Sequence, residues 1–194
     1  MKPNQAKKDK LARIVSQSPF SISPNYEATF GLNSFMGAFR DYNTEIEDAD
    51  VGDWDALAMA TPGFQRSNDK WSREMQVKFV ENVVSGFRSK IQLYAISERD
   101  SYSNCQIMDG LQRSTSLCGW LQGDYPIFDD IYYPEVKSTM FSTGIGINFQ
   151  IFNFQNELQA VDYYIAINEN ITHSPEDIAR AKSYKQSLIE KMKN

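Results

Sequence analysis

Between residues 72 and 96 the spacing of the apolar side chains changes from four to two. That change limits the chain to folds that mix helices with strands. Met75, Phe79, Val83 and Phe87 recur every fourth residue, with Val80 and Val84 beside them, the stripe of an amphipathic helix. Ser72 stands where an N-cap belongs, and Gly86 where a helix stops. Residues 90–96, KIQLYAI, then alternate like a half-buried strand. Residues 104–108 read as a second strand, Gln112 to Leu121 as a short helix, and 146–154 as a further strand. Residues 156–167 read as a helix with Leu158, Val161, Tyr164 and Ile165 on one face. The clearest helix start is the last: Ser174 as N-cap, Pro175 in the first turn, then Glu176 and Asp177 where acids favour the dipole. The predicted class is α+β, a small mixed sheet flanked by helices, with C-terminal helices.

The first third reads differently. Residues 1–13 carry five basic side chains (Lys2, Lys7, Lys8, Lys10, Arg13) against one acid, Asp9. They predict a short helix or a solvated arm, with a phosphate-contacting arm as the sharper alternative. Residues 16–35 predict loops with apolar anchors. Residues 41–55 hold seven acids and no base. The spacing does not match an EF-hand loop, so a solvated acidic loop is expected. Residues 1–57 are accordingly expected to form an N-terminal arm and acidic loop, and 58–194 the main domain.

Composition removes several chemistries. Cys105 and Cys118 are too far apart for a CxxC pair and read as free thiols of a reducing cytosol. His173 is the one histidine, so zinc sites built from His and Cys lack ligands, and no metal ligand is assigned. No apolar run reaches the ~18 residues of a membrane span, and no signal-peptide core is present. A cytoplasmic protein without a membrane partner is expected. The net charge of −5 argues against nucleic-acid binding by bulk charge.

The chemistry concentrates in residues 107–117, IMDGLQRSTSL. A strand ends, Asp109-Gly110 turns, and a helix begins. The first amides of a helix lack partners and carry partial positive charge, which suits a phosphate. Gly110 permits close approach of backbone to ligand. Arg113 offers a planar fork for phosphate oxygens. Gln112 offers an amide, and Ser114 and Thr115 offer hydroxyls. Asp109 is suited to cap the helix, hold a metal or orient a water. A second polar cluster, Thr61-Pro62-Gly63-Phe64-Gln65-Arg66, precedes Trp71 and repeats the Gln-Arg dipeptide. Two arginines from separate segments would clamp one polyanion.

These segments, in this order, resemble the DGQQR-motif family of the ParB and sulfiredoxin-like superfamily. The matching stretches are Pro62 to Arg66 with Trp71, then Ile107 to Leu117. Residues 163–181 resemble the later family element, with Asn168 at its Asn. The resemblance implies a compact ParB/sulfiredoxin-like domain whose Gly-Arg box contacts nucleotide phosphates. In its best-known setting, GmrSD-type restriction systems, that domain is associated with NTP binding and hydrolysis, and a separate HNH-type domain cuts DNA. Carried over by residue, the nucleotide site comprises Gln65, Arg66, Gly110, Arg113, Ser114, Thr115 and Asn168. The catalytic set is Asp109, Gln112 and Arg113, with Mg²⁺ accompanying the nucleotide. Leu111 departs from the motif's first Gln, Ala166 from a later Arg, and Glu169-Asn170 from later glycines.

Two functions are expected to compete. The leading one is nucleotide binding with NTP hydrolysis, in DNA metabolism or phage–host and restriction conflict. The alternative is a catalytically inactive DNA- or protein-binding subunit of phage type that keeps the fold only. A nuclease is disfavoured because one histidine cannot build an HNH centre, so a protein partner would supply that function. DNA contact would use the N-terminal arm with Arg66, Lys70, Arg73 and Lys78. His173 is read as a helix-entry residue and Cys118 as a core thiol.

Overall fold

The computed structural model describes residues 5–22, 24, 26–65, 67–96, 104–138, 144–169 and 174–193. Four strands form one sheet: β1 (Tyr26–Gly31), β2 (Lys90–Ile96), β3 (Gln106–Asp109) and β4 (Gly146–Phe154). Their spatial order is β1-β4-β2-β3. β4 pairs antiparallel with β1, Tyr26 opposite Ile151 and Gly31 opposite Gly146. It pairs parallel with β2, from Lys90 opposite Asn148 to Ile96 opposite Phe154. β3 runs antiparallel to β2, and an irregularity between Gln92 and Leu93 sets Gln92 opposite Asp109. The sheet is therefore mixed, and the α+β class holds.

Alternation along β4 sorts the helices to two faces. Ile147, Phe149 and Ile151 join Ile91, Leu93 and Ile107 in one core. That core receives α2 (Phe35–Asp41), α3 (Thr44–Ala49), α4 (Asp53–Met59), α5 (Arg73–Val84) and α6 (Leu111–Gln122). Phe149 is fully buried there, edge-on to Phe30 at 5.3 Å and Phe39 at 5.7 Å. Such a ring contributes about 1.5–3 kcal/mol by burial. Phe152, Phe154, Tyr94 and Met108 point the other way, into a second core with α8 (Glu157–Asn168) and α9 (Pro175–Lys191). A short α7 (Tyr133–Val136) packs beside α6.

The helix ends follow the cap chemistry. Ser72 Oγ accepts from the Met75 amide, Ser174 Oγ from the Asp177 amide, and Asn156 Oδ1 from the Gln159 amide. The chain leaves α5 through Gly86 at φ +104°.

The first third departs from expectation. Residues 26–31 form an edge strand rather than a loop. The acidic stretch is helical: Asn43 caps α3 by accepting from the Glu45 and Ile46 amides. Glu45, Glu47, Asp53 and Asp55 fall in the first turns of α3 and α4, where acids oppose the exposed amide dipoles. Leu32, Phe35, Ile46 and Leu57 share the core with Ile91 and Ile147. The basic segment takes the helical one of its two expected forms, α1 (Gln5–Ser16), with no buried residue.

β3 is an edge strand, and its outer rim is covered. Cys105 N donates to Tyr42 O at 2.8 Å and Ile107 N to Ala60 O at 2.7 Å. The Gln65 amide nitrogen donates to Ile107 O and Met108 O at 2.9 and 3.0 Å. Covering an edge in this way removes a template for strand addition.

Candidate functional site

At the end of β3 the chain turns through Gly110 into α6. Gly110 has φ +108° and ψ +15°, and a Cβ there would lie 3.3 Å from Ile91 Cγ1. Both the backbone conformation and the close approach demand glycine. Gly110 caps α6 without any side-chain hydrogen bond to the first turn, so the helix start presents backbone amides.

This corner opens into a cleft of about 520 Å³. It is lined by Gln65, Lys70, Trp71 and Met75, by Gln92 of β2, by residues 109–113, and by Tyr164, Ile167 and Asn168 of α8. Gln65, Asp109, Gly110, Gln112, Arg113 and Asn168, separated by up to 103 residues in sequence, therefore meet at one place. Arg66 and His173 lie outside the described residues. Ser114 and Thr115 do not line the cleft. Ser114 is fully buried with no hydrogen-bond partner for its hydroxyl among the described residues. Thr115 Oγ1 accepts from Asn68 Nδ2 at 2.5 Å.

The polar side chains divide by what they already hold. Gln65 fastens β3, as above. Gln112, 4% exposed, accepts from the Trp71 amide at 3.2 Å and donates to Ser67 O at 3.3 Å. With the Asn68–Thr115 bond it straps residues 67–71 to α6. Gln112 thus positions the loop that carries Lys70 and Trp71. Asn168, also buried, donates to Tyr164 O at 2.8 Å. Arg113 donates to Lys90 O and to Asp109 Oδ2, both at 2.5 Å. Lys70 Nζ lies 3.5 Å from Asp177 Oδ1 of α9. Each described cation lining the cleft therefore faces a carboxylate.

Tyr164 and Ile167 of α8 add aromatic and apolar surface to the lining. Tyr163 is not in the lining but packs in the second core, where burial pushes its hydroxyl up and the charge of Asp109 adds to the shift. Trp71 packs at 5.3 Å on Phe79 and keeps part of its surface open. Leu111 separates the cleft from a neighbouring groove of about 450 Å³ bordered by Trp54, Pro62, Asn68 and Arg180. Leu111 thus puts an apolar side chain at the boundary that the two share.

Lys70, Met75, Gln92 and Ile167 were not in the expected site. Their sequence signals were weak: Gln92 is the polar member of an alternating strand, and Lys70 was read as part of a basic face and not of this cleft. The expected basic face is largely engaged: Arg73 lies 4.3 Å over the Tyr125 ring, and Lys78 sits 3.3 Å from Glu81. Cys105 and Cys118 are buried and in no disulfide, and desolvation pushes each thiol up to about 12. Among the described residues no group of three or more His, Cys, Asp or Glu side chains is arranged to hold a metal. No helix of the described residues is long and apolar enough to cross a membrane.

Comparison with protein-family models, with curated proteins and with solved structures finds no match to this chain.

Proposed function

We propose that the chain binds a nucleotide in the cleft at the start of α6, as the resemblance to DGQQR-motif, ParB-like proteins implies. The observation that carries this reading is the Gly110 corner. There an open helix start and the Arg113 guanidinium share one cleft with the partly exposed face of Trp71. Backbone amides and a guanidinium suit phosphate oxygens, and Trp71, Met75 and Ile167 give apolar surface to a base. Gln92 adds an amide to the lining.

Hydrolysis of a nucleoside triphosphate is the further step of the same proposal. Asp109 is the one carboxylate among the described lining residues. It is the group placed to orient a water. A magnesium ion would be held by Asp109 together with ligand phosphates, because the described residues offer no fuller set. When bound, that ion would polarise the phosphoryl group.

Binding of labelled ATP, GTP, CTP and UTP to wild type and Arg113→Ala tests the reading. At least one nucleotide should bind the wild type, and the variant should lose about tenfold or more in affinity. Equal weak binding by both proteins would sink it.

A second reading, an interaction protein without turnover, draws support from Gln112. Each end of its amide already holds a structural partner, Trp71 or Ser67. Phosphate release with Mg²⁺ separates the two: sustained turnover lost in Asp109→Ala excludes the second.

A further inference from the structure

We infer that Asp109 is an internal competitor for the anion seat on Arg113, so that the cleft admits a phosphate only by exchange of partners. The inference rests on the nucleotide-binding reading and adds to it a device that selects by charge.

Three observations carry it. Arg113 is held at two points by different groups: Nη1 donates to the backbone carbonyl of Lys90, Nη2 to the carboxylate of Asp109. The first anchor does not depend on the second. Removing the carboxylate charge leaves the guanidinium seated, with Nη2 released. Secondly, the Asp109 side chain is 37% exposed and that of Arg113 is 25% exposed. Both groups reach solvent, so water can receive the displaced carboxylate when an anion takes its place on Nη2. Thirdly, the other described cation that lines the cleft, Lys70, also faces a carboxylate, Asp177. The resting cleft is thus neutral at its two described cations, and an incoming anion meets Asp109 as a like charge.

A carboxylate whose main task is to help hold the ligand should weaken binding when neutralised. A competitor should do the reverse. Isothermal titration of ATP in EDTA compares wild type, Asp109→Asn, Asp109→Ser and Asp109→Asn/Arg113→Ala, each checked for folding by circular dichroism. The expected result is about tenfold tighter binding for both Asp109 variants, with the gain erased in the double variant. Unchanged or weaker binding in Asp109→Asn and Asp109→Ser, beside measurable wild-type binding, overturns the inference and leaves the nucleotide reading standing. Tighter binding that survives Arg113→Ala also overturns it, since the competition would then not be for Arg113. Absence of binding in every protein removes the nucleotide reading itself, and the inference with it.

Discussion

The side-chain carbonyl of Gln112, in the first turn of α6, accepts the backbone amide of Trp71 at 3.2 Å. Its amide nitrogen reaches Ser67 O in the same loop. One buried side chain therefore fixes the wall of the cleft across more than 40 residues of sequence. Gln112→Ala leaves both backbone groups without that partner and should cost about 1–3 kcal/mol. The Trp71 fluorescence should shift to the red and become more open to acrylamide quenching. Trp120, 1% exposed in the core, should not change. An unaltered emission and melting temperature would contradict the strap.

Gly110→Ala meets two obstacles at once, a φ of +108° and Ile91 Cγ1 at 3.3 Å. The left-handed region alone costs about 1–2 kcal/mol for a residue with Cβ, and the contact adds to it. Urea titration should show the midpoint falling with the slope unchanged. Gly37 is the control, because a Cβ there meets nothing within 4 Å.

The buried thiols set an alkaline limit. In the fold, Cys105 and Cys118 are each held up to about 12 by desolvation, against about 8.5 in the unfolded chain. The unfolded state therefore loses its thiol protons first, and between those values it binds fewer protons than the native state. Stability is fully present below about 8.5 and falls as pH rises toward 12. Denaturation at pH 8, 9 and 10 should show a progressive loss, smaller in a Cys105→Ala/Cys118→Ala protein measured against its own value at pH 8. Ellman's reagent should label neither thiol at pH 8 until denaturant unfolds the chain.

Ser174→Ala removes the oxygen that accepts from the Asp177 amide at 3.3 Å. The expected cost is about 0.5–2 kcal/mol. Asp177 also pairs with Lys70, so hydrogen exchange should quicken both in the first turn of α9 and around residues 68–71. Acceleration confined to α9 would show that the two are uncoupled.

What the sequence disclosed depended on whether the signal was local. Ser72 and Ser174 announced their helices because a cap needs only its own first turn. Residues 146–154 read as a strand because Ile147, Phe149 and Ile151 alternate over enough length. Residues 26–31 did not, since an edge strand buries little: only Ala28, Phe30 and Gly31 escape full exposure. Helices α3 and α4 have six and seven residues, too few for a 3.6-residue period to repeat, and their acids resembled a solvated loop. At the site, Asp109, Gly110 and Arg113 were legible because strand, turn and helix start are consecutive. Ser114 and Thr115 were misplaced by the same local logic, which does not show that α6 turns them inward. Lys70, Gln92 and Ile167 reach the cleft only through tertiary packing.

The cleft draws its walls from Gln65, Lys70, Trp71 and Met75, from β2 and the β3–α6 corner, and from α8. These belong to both cores and to both faces of the sheet. A molecule held there touches every layer at once and is released when any layer unfolds. Occupancy and global stability are therefore thermodynamically linked. At a hundredfold excess over Kd, a ligand should add about 2.7 kcal/mol to unfolding. The melting temperature of the whole chain serves as a meter of what the cleft accepts.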